Sequence, residues 1–425
     1  MFINKYNFLL ILLIFSKQVM AAETLEQVFA EALNKNQLIH AAKANTQASE
    51  QQLFAAEGQY LPKLSVSSGY TQFDETPSAK ANFGGQSVQF PMGQAGSFNA
   101  QAMVSIPVFT SGKIEHGIDA AKAVNLATQH NEVATALNIK LKVANVFIAI
   151  LRSQKGLMVA QSHVTNLEAH VKDVNNLYQQ GVIARNDLLA AKVELSNAKQ
   201  LVIQQDNQLD IAKAQFNQLL NRNLSNEVEL VEAFPEVSAD DLAALFKQAL
   251  KQRPELEVLA EQIWSLEAQA QSEKANLLPQ VNLNGGYQYQ ENEYQAFEGL
   301  WMANVTLNWT LFDGSTNHRS QAVKRQALSL KSQRDDFISN IHLQVRQAWL
   351  DIQETLKRIE VAKQAIEQAD ENLRVSTERY QQGLAVHTEV LDAEDLRTQI
   401  YNNFHNAEYD SAMAKLNLRY ALGIL

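Results

Sequence analysis

Apolar and polar residues alternate with a period of two in four segments of the chain. Phe98, Ala100, Ala102, Val104, Ile106 and Val108 alternate with Asn99, Gln101, Met103, Ser105 and Pro107. Trp301, Ala303, Val305, Leu307, Trp309 and Leu311 alternate with Met302, Asn304, Thr306, Asn308 and Thr310. Leu64, Val66 and Tyr70 lead an earlier segment, and Val281, Leu283, Tyr287 and Tyr289 a later one. Apolar and aromatic positions on one side and uncharged polar ones on the other match a barrel strand between lipid and water. The pattern predicts strands at 63–73, 97–109, 280–290 and 300–312. A soluble sandwich also alternates, but it needs many short strands at intervals of about 8–12 residues. Four strands in 425 residues are too few for one.

Between these segments the period is helical. Leu25, Phe29 and Leu33, and Leu242, Phe246 and Leu250, recur every four residues and share a face. They predict opening helices over Thr24–Gly58 and Asp240–Asn276. The seven prolines stand at 62, 77, 91, 107, 235, 254 and 279, leaving two long gaps. Proline costs about 3 kcal/mol inside a helix, so the gaps permit very long helices. Lys113 to Tyr178 would reach about 100 Å, and the return from Asn186 to Leu220 about 50 Å. An apolar stretch at Leu137, Leu141, Phe147, Ile148 and Leu151 is answered by Ile341, Val345, Trp349, Leu350 and Ile352. Elsewhere these helices are polar enough to face water, along a channel or free in the periplasm.

The chain repeats itself once. Leu61-Pro62 returns as Leu278-Pro279, Phe109-Thr110-Ser111-Gly112 as Phe312-Asp313-Gly314, and Tyr178-Gln179-Gln180-Gly181 verbatim as Tyr380-Gln381-Gln382-Gly383. The last register runs ungapped to Leu220 and Leu422 with 9 of 43 positions identical. A duplication is the economical reading, with a first repeat at 22–234, a second at 235–425 and a joint near Asn221 to Ala239. Each half reads helix, strand, loop, strand, long helix, tight break, helix. The first loop, Asp74–Gly96, is expected to be extracellular and longer than the second, Glu291–Gly299. Four strands cannot close a membrane barrel, whose smallest versions have about eight, and open edges are not tolerated in lipid. Several copies must therefore associate; two would give eight strands and three twelve, and the strand count does not choose.

The N-terminus adds an address. Lys5 precedes an unbroken apolar run from Phe8 to Phe15, and Val19-Met20-Ala21 offers a small-residue cleavage site, the form of an export signal. Residues 1–21 are read as that signal, with a mature start at Ala22 or Glu23. Its removal takes Lys5 and Lys17 and moves the net charge from −10 to −12. Nucleic acid wants a basic face, so it is excluded as a partner. No later run approaches 18 consecutive apolar residues, so no spanning helix is expected in the mature chain. The chain has no cysteine, which excludes disulfides, thiolate nucleophiles, Cys-based zinc sites and a lipid-modified N-terminal cysteine. The nine histidines show no metal-ligand spacing, and His163 and His170, seven apart, read as a solvated face. There is no Gly-x-Ser-x-Gly elbow and no phosphate loop. No enzyme, cofactor or metal is expected.

These features resemble the TolC family of outer-membrane factors over essentially the whole mature chain. The resemblance rests on the duplicated order, the Leu-Pro before each first strand, the Phe and Gly leaving each second strand, and above all the break. That break, Tyr-x-x-Gly-φ-x-x-x-x-Asp/Glu-φ-Leu with φ apolar, spans Tyr178–Leu189 and again Tyr380–Leu391. The resemblance implies a mainly α fold with a small β contribution. Three copies would form a 12-stranded outer-membrane barrel above a periplasmic helical tunnel. It also implies a periplasmic adaptor of the membrane-fusion type and an inner-membrane transporter as partners, for efflux of small toxic molecules or secretion of polypeptides. Carried over by motif, Glu389 and Asp392 form an acidic ring, Tyr380, Asn186 and Asp187 make gate contacts, and Gly181, Val182, Gly383 and Leu384 face the adaptor. Glu389 stands where the best-known members carry aspartate, and Ala385 where some carry an arginine that holds the gate shut.

The residues have a plainer reading as well. Gly181 and Gly383 reverse the chain with φ > 0. Asn186-Asp187 and Thr388-Glu389 begin the return helices as N-caps or dipole partners. Tyr178 is read as a packing residue. Two other classes fit less well. A soluble coiled-coil adaptor would have one hairpin and no lipid-type strands, and a structural surface protein would not need the duplicated break.

Overall fold

The computed structural model describes residues 22–237 and 241–425. The proposed signal at 1–21 lies outside the described residues. Helices α1 (Leu25–Lys35) and α2 (Gln37–Glu57) lead to strand β1 (Lys63–Gln72), a hairpin β2–β3 (Ser78–Phe83, Gln86–Pro91), β4 (Gly96–Phe109), and helices α3 (Lys113–Gln179) and α4 (Arg185–Leu219). The order then recurs with α5 (Leu242–Gln252), α6 (Pro254–Ala275), β5 (Gln280–Gln290), β6 (Gly299–Asn308), α7 (Thr316–Gln381) and α8 (His387–Ala421).

The opening helices are not continuous. Asn36 leaves the helical region at φ −71°, ψ 130°, and its side chain caps α2 through Leu38 N while donating to Leu219 O at 2.8 Å. Its counterpart Arg253 precedes Pro254, whose ring forbids the residue before it from staying helical. Arg253 is buried, bonded twice to Glu255 at 2.9 Å and stacked on Tyr420. Asn and X-Pro therefore override the apolar period at equivalent places.

The sheet runs β1-β4-β5-β6, all antiparallel. Leu64 faces Val104, Val66 faces Ala102 and Tyr70 faces Phe98. In the second hairpin Val281 faces Leu307, Leu283 faces Val305 and Tyr287 faces Trp301, the same register after the repeat shift. One face is thus apolar, and it is bare: Trp301 is 82% exposed and Val305 70%. On the other face Ser105 donates to Asn284 at 2.7 Å, and Asn284 donates to Asn304 and Thr306 at 2.9 and 3.1 Å. Two expectations change. The first loop is not strandless, since β2 and β3 pair around Gly84-Gly85, both at positive φ. Strand β6 ends at Asn308, opposite Gln280, and not at 312. As an edge strand it has nothing to pair with beyond Gln280, where Pro279 offers no N–H.

Helices α3 and α7 have 67 and 66 residues, about 100 Å each. Their middles hold the cores. Leu25, Phe29, Phe147, Ile148, Phe216 and Leu416 pack in one cluster, and Leu245, Ile341, Val345, Ile352 and Leu418 in another. Leu350 turns outward instead. Contrary to the run-based expectation, α3 contains an 18-residue window apolar enough to cross a bilayer by composition, with a mean hydropathy of 1.6. Val143, Phe147, Ile150 and Leu151 on α3 are buried in the first cluster. At the joint Arg222 grips Glu23 at 2.7 Å and also Glu31, and Glu23 bridges to Leu230. The Arg222 hydrogen bond holds the Glu31 carboxyl below the usual range.

Candidate functional site

Each long helix ends in the same device. Gly181 and Gly383 both adopt φ 74°. Gly181 N donates to Tyr178 O at 2.9 Å and Val182 N to Leu177 O at 3.0 Å; Gly383 N and Leu384 N donate to Tyr380 O and Arg379 O at 2.9 and 2.8 Å. These paired bonds are a Schellman motif with glycine in the left-handed position. Open space surrounds both glycines, so backbone conformation and not crowding demands them. Val182 and Leu384 stand exposed beside them.

The return helices start differently from the capping expectation. Their N-caps are Ala184 and Val386, without side-chain cap bonds. Asp187 and Glu389 lie in the first turn, so they complement the helix dipole. Asn186 is exposed, and its side chain bonds its neighbour, Nδ2 to Asp187 Oδ1 at 3.1 Å.

The two tips of one chain meet asymmetrically. Tyr380 is 5% exposed, whereas its counterpart Tyr178 is 38% exposed, the reverse of the packing role expected for Tyr178. Tyr380 packs in a cluster with Val174, Leu188, Ala191 and Val390, its ring 5.4 Å from that of His170. Asp187 lies 3.8 Å from His387 Nε2, and Gln381 donates to Asp173 at 3.1 Å. Of the expected gate contacts, Tyr380 and Asp187 are therefore brought together, while Asn186 stays outside. Burial, then Asp187 and Asp173, push the Tyr380 hydroxyl up. Burial and the neighbouring His387 pull the His170 imidazole down to about 4. A cavity of about 180 Å³ beside them is lined by Asn166, His170, Asp173, Tyr380 and Glu394. His170 Nε2, Tyr380 OH and Glu394 Oε2 have no hydrogen-bond partner among the described residues, and such a cavity is polar and roomy enough for water.

Glu389 and Asp392 lie one turn apart on α8. Glu389 is paired with Arg379 at 3.3 Å, and Asp392 is exposed. Sequence reasoning missed Arg379, whose counterpart in the first repeat is Leu177. It also misplaced His163 and His170. Both are buried, because at this height α3 is covered by α8 and by the second tip. Near His163 the structure brings together Glu194, Glu394 and Asp395 from α4 and α8.

A sheet bare on its apolar face, carried at the end of two helical hairpins about 100 Å long with matching reversals, defines a subunit of an outer-membrane channel. The chain matches the family described as outer membrane efflux protein over residues 28–222 and 245–424, and it belongs to that family. It is 21% identical over 427 residues to the outer membrane protein TolC of Salmonella enteritidis, covering 95% of this chain and 82% of that one. The solved structure of the outer membrane protein VceC from Vibrio cholerae aligns with a TM-score of 0.80 at 18% identity, over 94% of this chain and 96% of that chain. CusC aligns at 0.81 and 17%, over 94% and 92%. The protein is an outer-membrane channel component of tripartite efflux systems, extending into the periplasm.

Proposed function

We propose that three copies close a 12-stranded barrel and that the chain is a passive conduit, not an enzyme. An adaptor would grip it at Gly181, Val182, Gly383 and Leu384, and an inner-membrane transporter would feed it. The division into repeats at 22–234 and 235–425, after a cleaved signal at 1–21, is part of the same reading. One observation carries it: a four-stranded sheet with two unpaired edges, β1 and β6, and an apolar face turned to solvent. Neither edge can remain open in lipid. The copy number of three comes from the family resemblance. The uncharged Ser, Asn and Thr face would line the lumen.

The duplication also supplies a register for closure. Strand β4 stands to β5 as β6 stands to β1 of the next copy. The pair Gln101–Gln288 within the chain corresponds to Asn304 with Thr71 of the partner subunit. The protein is free of cysteine, so Thr71→Cys with Asn304→Cys tests this cleanly. Oxidation in membranes should give a ladder ending at three chains. A ladder ending at two, or running past three, contradicts the copy number; no cross-link at all contradicts the register.

At the tips, Glu389 and Asp392 from each copy would place about six carboxylates around one axis, attracting multivalent cations. Tyr380 and Asp187 would hold the second tip against the first.

A further inference from the structure

We propose that His163, Glu194 and Asp395 form a binding site for a transition-metal dication of the Zn2+ kind, oriented by the buried carboxylate of Glu394. The donors come from three helices, α3, α4 and α8, and their ligand atoms all lie within 4.8 Å of one another. Tetrahedral zinc with bonds of about 2.0–2.2 Å needs donors about 3.3–3.6 Å apart. His163 Nε2 is already 3.7 Å from Asp395 Oδ1. Asp395 is exposed and Glu194 partly so, which leaves both free to turn the remaining distance. The same open side admits the ion and a water ligand.

The arrangement behind the histidine points to a metal. The His163 ring is 5% exposed, with Nδ1 3.2 Å from Glu394 Oε1 and 3.1 Å from Thr398 Oγ1. Glu394 is 2% exposed; Oε1 also accepts from Asn166 at 2.9 Å, while Oε2 has no partner among the described residues. An Nδ1–H directed at this carboxylate leaves the lone pair on Nε2, facing the outer carboxylates. That is the carboxylate–histidine–metal order by which proteins fix a ligand's tautomer and direction.

The charges agree. Three carboxylates surround one imidazole, and Arg397 and Lys199, on the same helices as Asp395 and Glu194, each hold another carboxylate. Arg397 binds Asp370 at 2.6 Å and Lys199 pairs with Glu168 at 2.8 Å. Among the described residues Glu194 receives only a long bond from Asn197, 3.4 Å. Imidazole with two carboxylates suits Zn2+ and its neighbours, not the all-oxygen preference of Ca2+ or Mg2+. A bound ion would tie the first hairpin to the return helix of the second. All donors belong to one chain, so the site does not depend on how many copies close the barrel.

The test uses the full-length protein in detergent, stripped of metal and titrated with Zn2+ by calorimetry, with Co2+ absorption reporting the donor set. Wild type should bind one Zn2+ per chain and gain thermal stability, as a ligand of the native state must confer. Glu194→Gln with Asp395→Asn, which alters only residues reaching solvent, should abolish that isotherm. Glu394→Gln should weaken it about tenfold to a hundredfold. Glu389→Ala with Asp392→Ala should keep one Zn2+ per chain. The proposal is overturned if wild type shows no stoichiometric binding, or if the one-per-chain isotherm survives the first double change. It is also overturned if binding vanishes in Glu389→Ala/Asp392→Ala, or if Glu394→Gln lowers stability while leaving Zn2+ affinity unchanged, as a purely structural ion pair would.

Discussion

The two hairpin tips have one backbone and two chemistries. Both end in a Schellman glycine at φ 74°, and both restart without a side-chain cap. In the first, Tyr178 stands in solvent and the reversal carries Leu177 and, at the position of Asp392, Ala190. In the second, Tyr380 is packed against α3 and the reversal carries Arg379, Glu389 and Asp392. Duplication preserved what the backbone requires. What diverged is charge and contact, and these lie where a gate would need them. In the proposed reading, the first tip would serve as a wall against which the second is held.

The sharpest way to break this comparison is to truncate the tyrosines. Tyr380→Ala should destabilise its tip by about 3–5 kcal/mol, as loss of a buried aromatic does, and raise leak conductance in planar bilayers. Tyr178→Ala should stay within about 0.5 kcal/mol. Equal effects would erase the asymmetry.

Acid comes next. His170 faces Tyr380, His387, Asp173 and Glu394. Its unfolded imidazole takes a proton near pH 6.5, the folded one only near 4. Between those values the unfolded state binds more protons, so stability is full above about 6.5 and falls on acidification, by about 2 kcal/mol at pH 5. Hydrogen exchange of amides in the second tip should quicken over this range, and His170→Gln should flatten the response.

The glycines should show no asymmetry. Gly181→Val and Gly383→Val should each cost about 1–2 kcal/mol, the left-handed penalty for a side chain, and impair export while assembly stays intact. Resistance assays with sedimentation in detergent check both halves of the statement. Smallest is Arg379→Ala. Its exposed pair with Glu389 is worth no more than about 1 kcal/mol, so stability should hardly move while cation preference rises with the freed carboxylate.

Much of this was legible in the sequence because period and punctuation are local. Alternation located four membrane strands to within a few residues, except where β6 ran out of partner at Asn308. The repeated Tyr-x-x-Gly located both tips. The breaks at Asn36 and Arg253 were missed because one capping side chain, or one X-Pro, interrupts an apolar period that otherwise continues. The β2–β3 hairpin was missed because its Gly-Gly turn sits in a stretch with loop composition. From sequence His163 and His170 read as solvated because nothing local says what covers a polar face of α3. The answer, Glu394 and Tyr380, lies more than two hundred positions away.

The most direct test of the second tip as the gate is ion selectivity in planar bilayers. Wild type should prefer cations and be blocked by multivalent cations added from the periplasmic side. Glu389→Ala with Asp392→Ala should weaken both effects and leave assembly intact, whereas Asp187→Ala in the first tip should leave both in place. A double variant that keeps wild-type selectivity and block would contradict the account and reduce these acids to partners of the helix dipole.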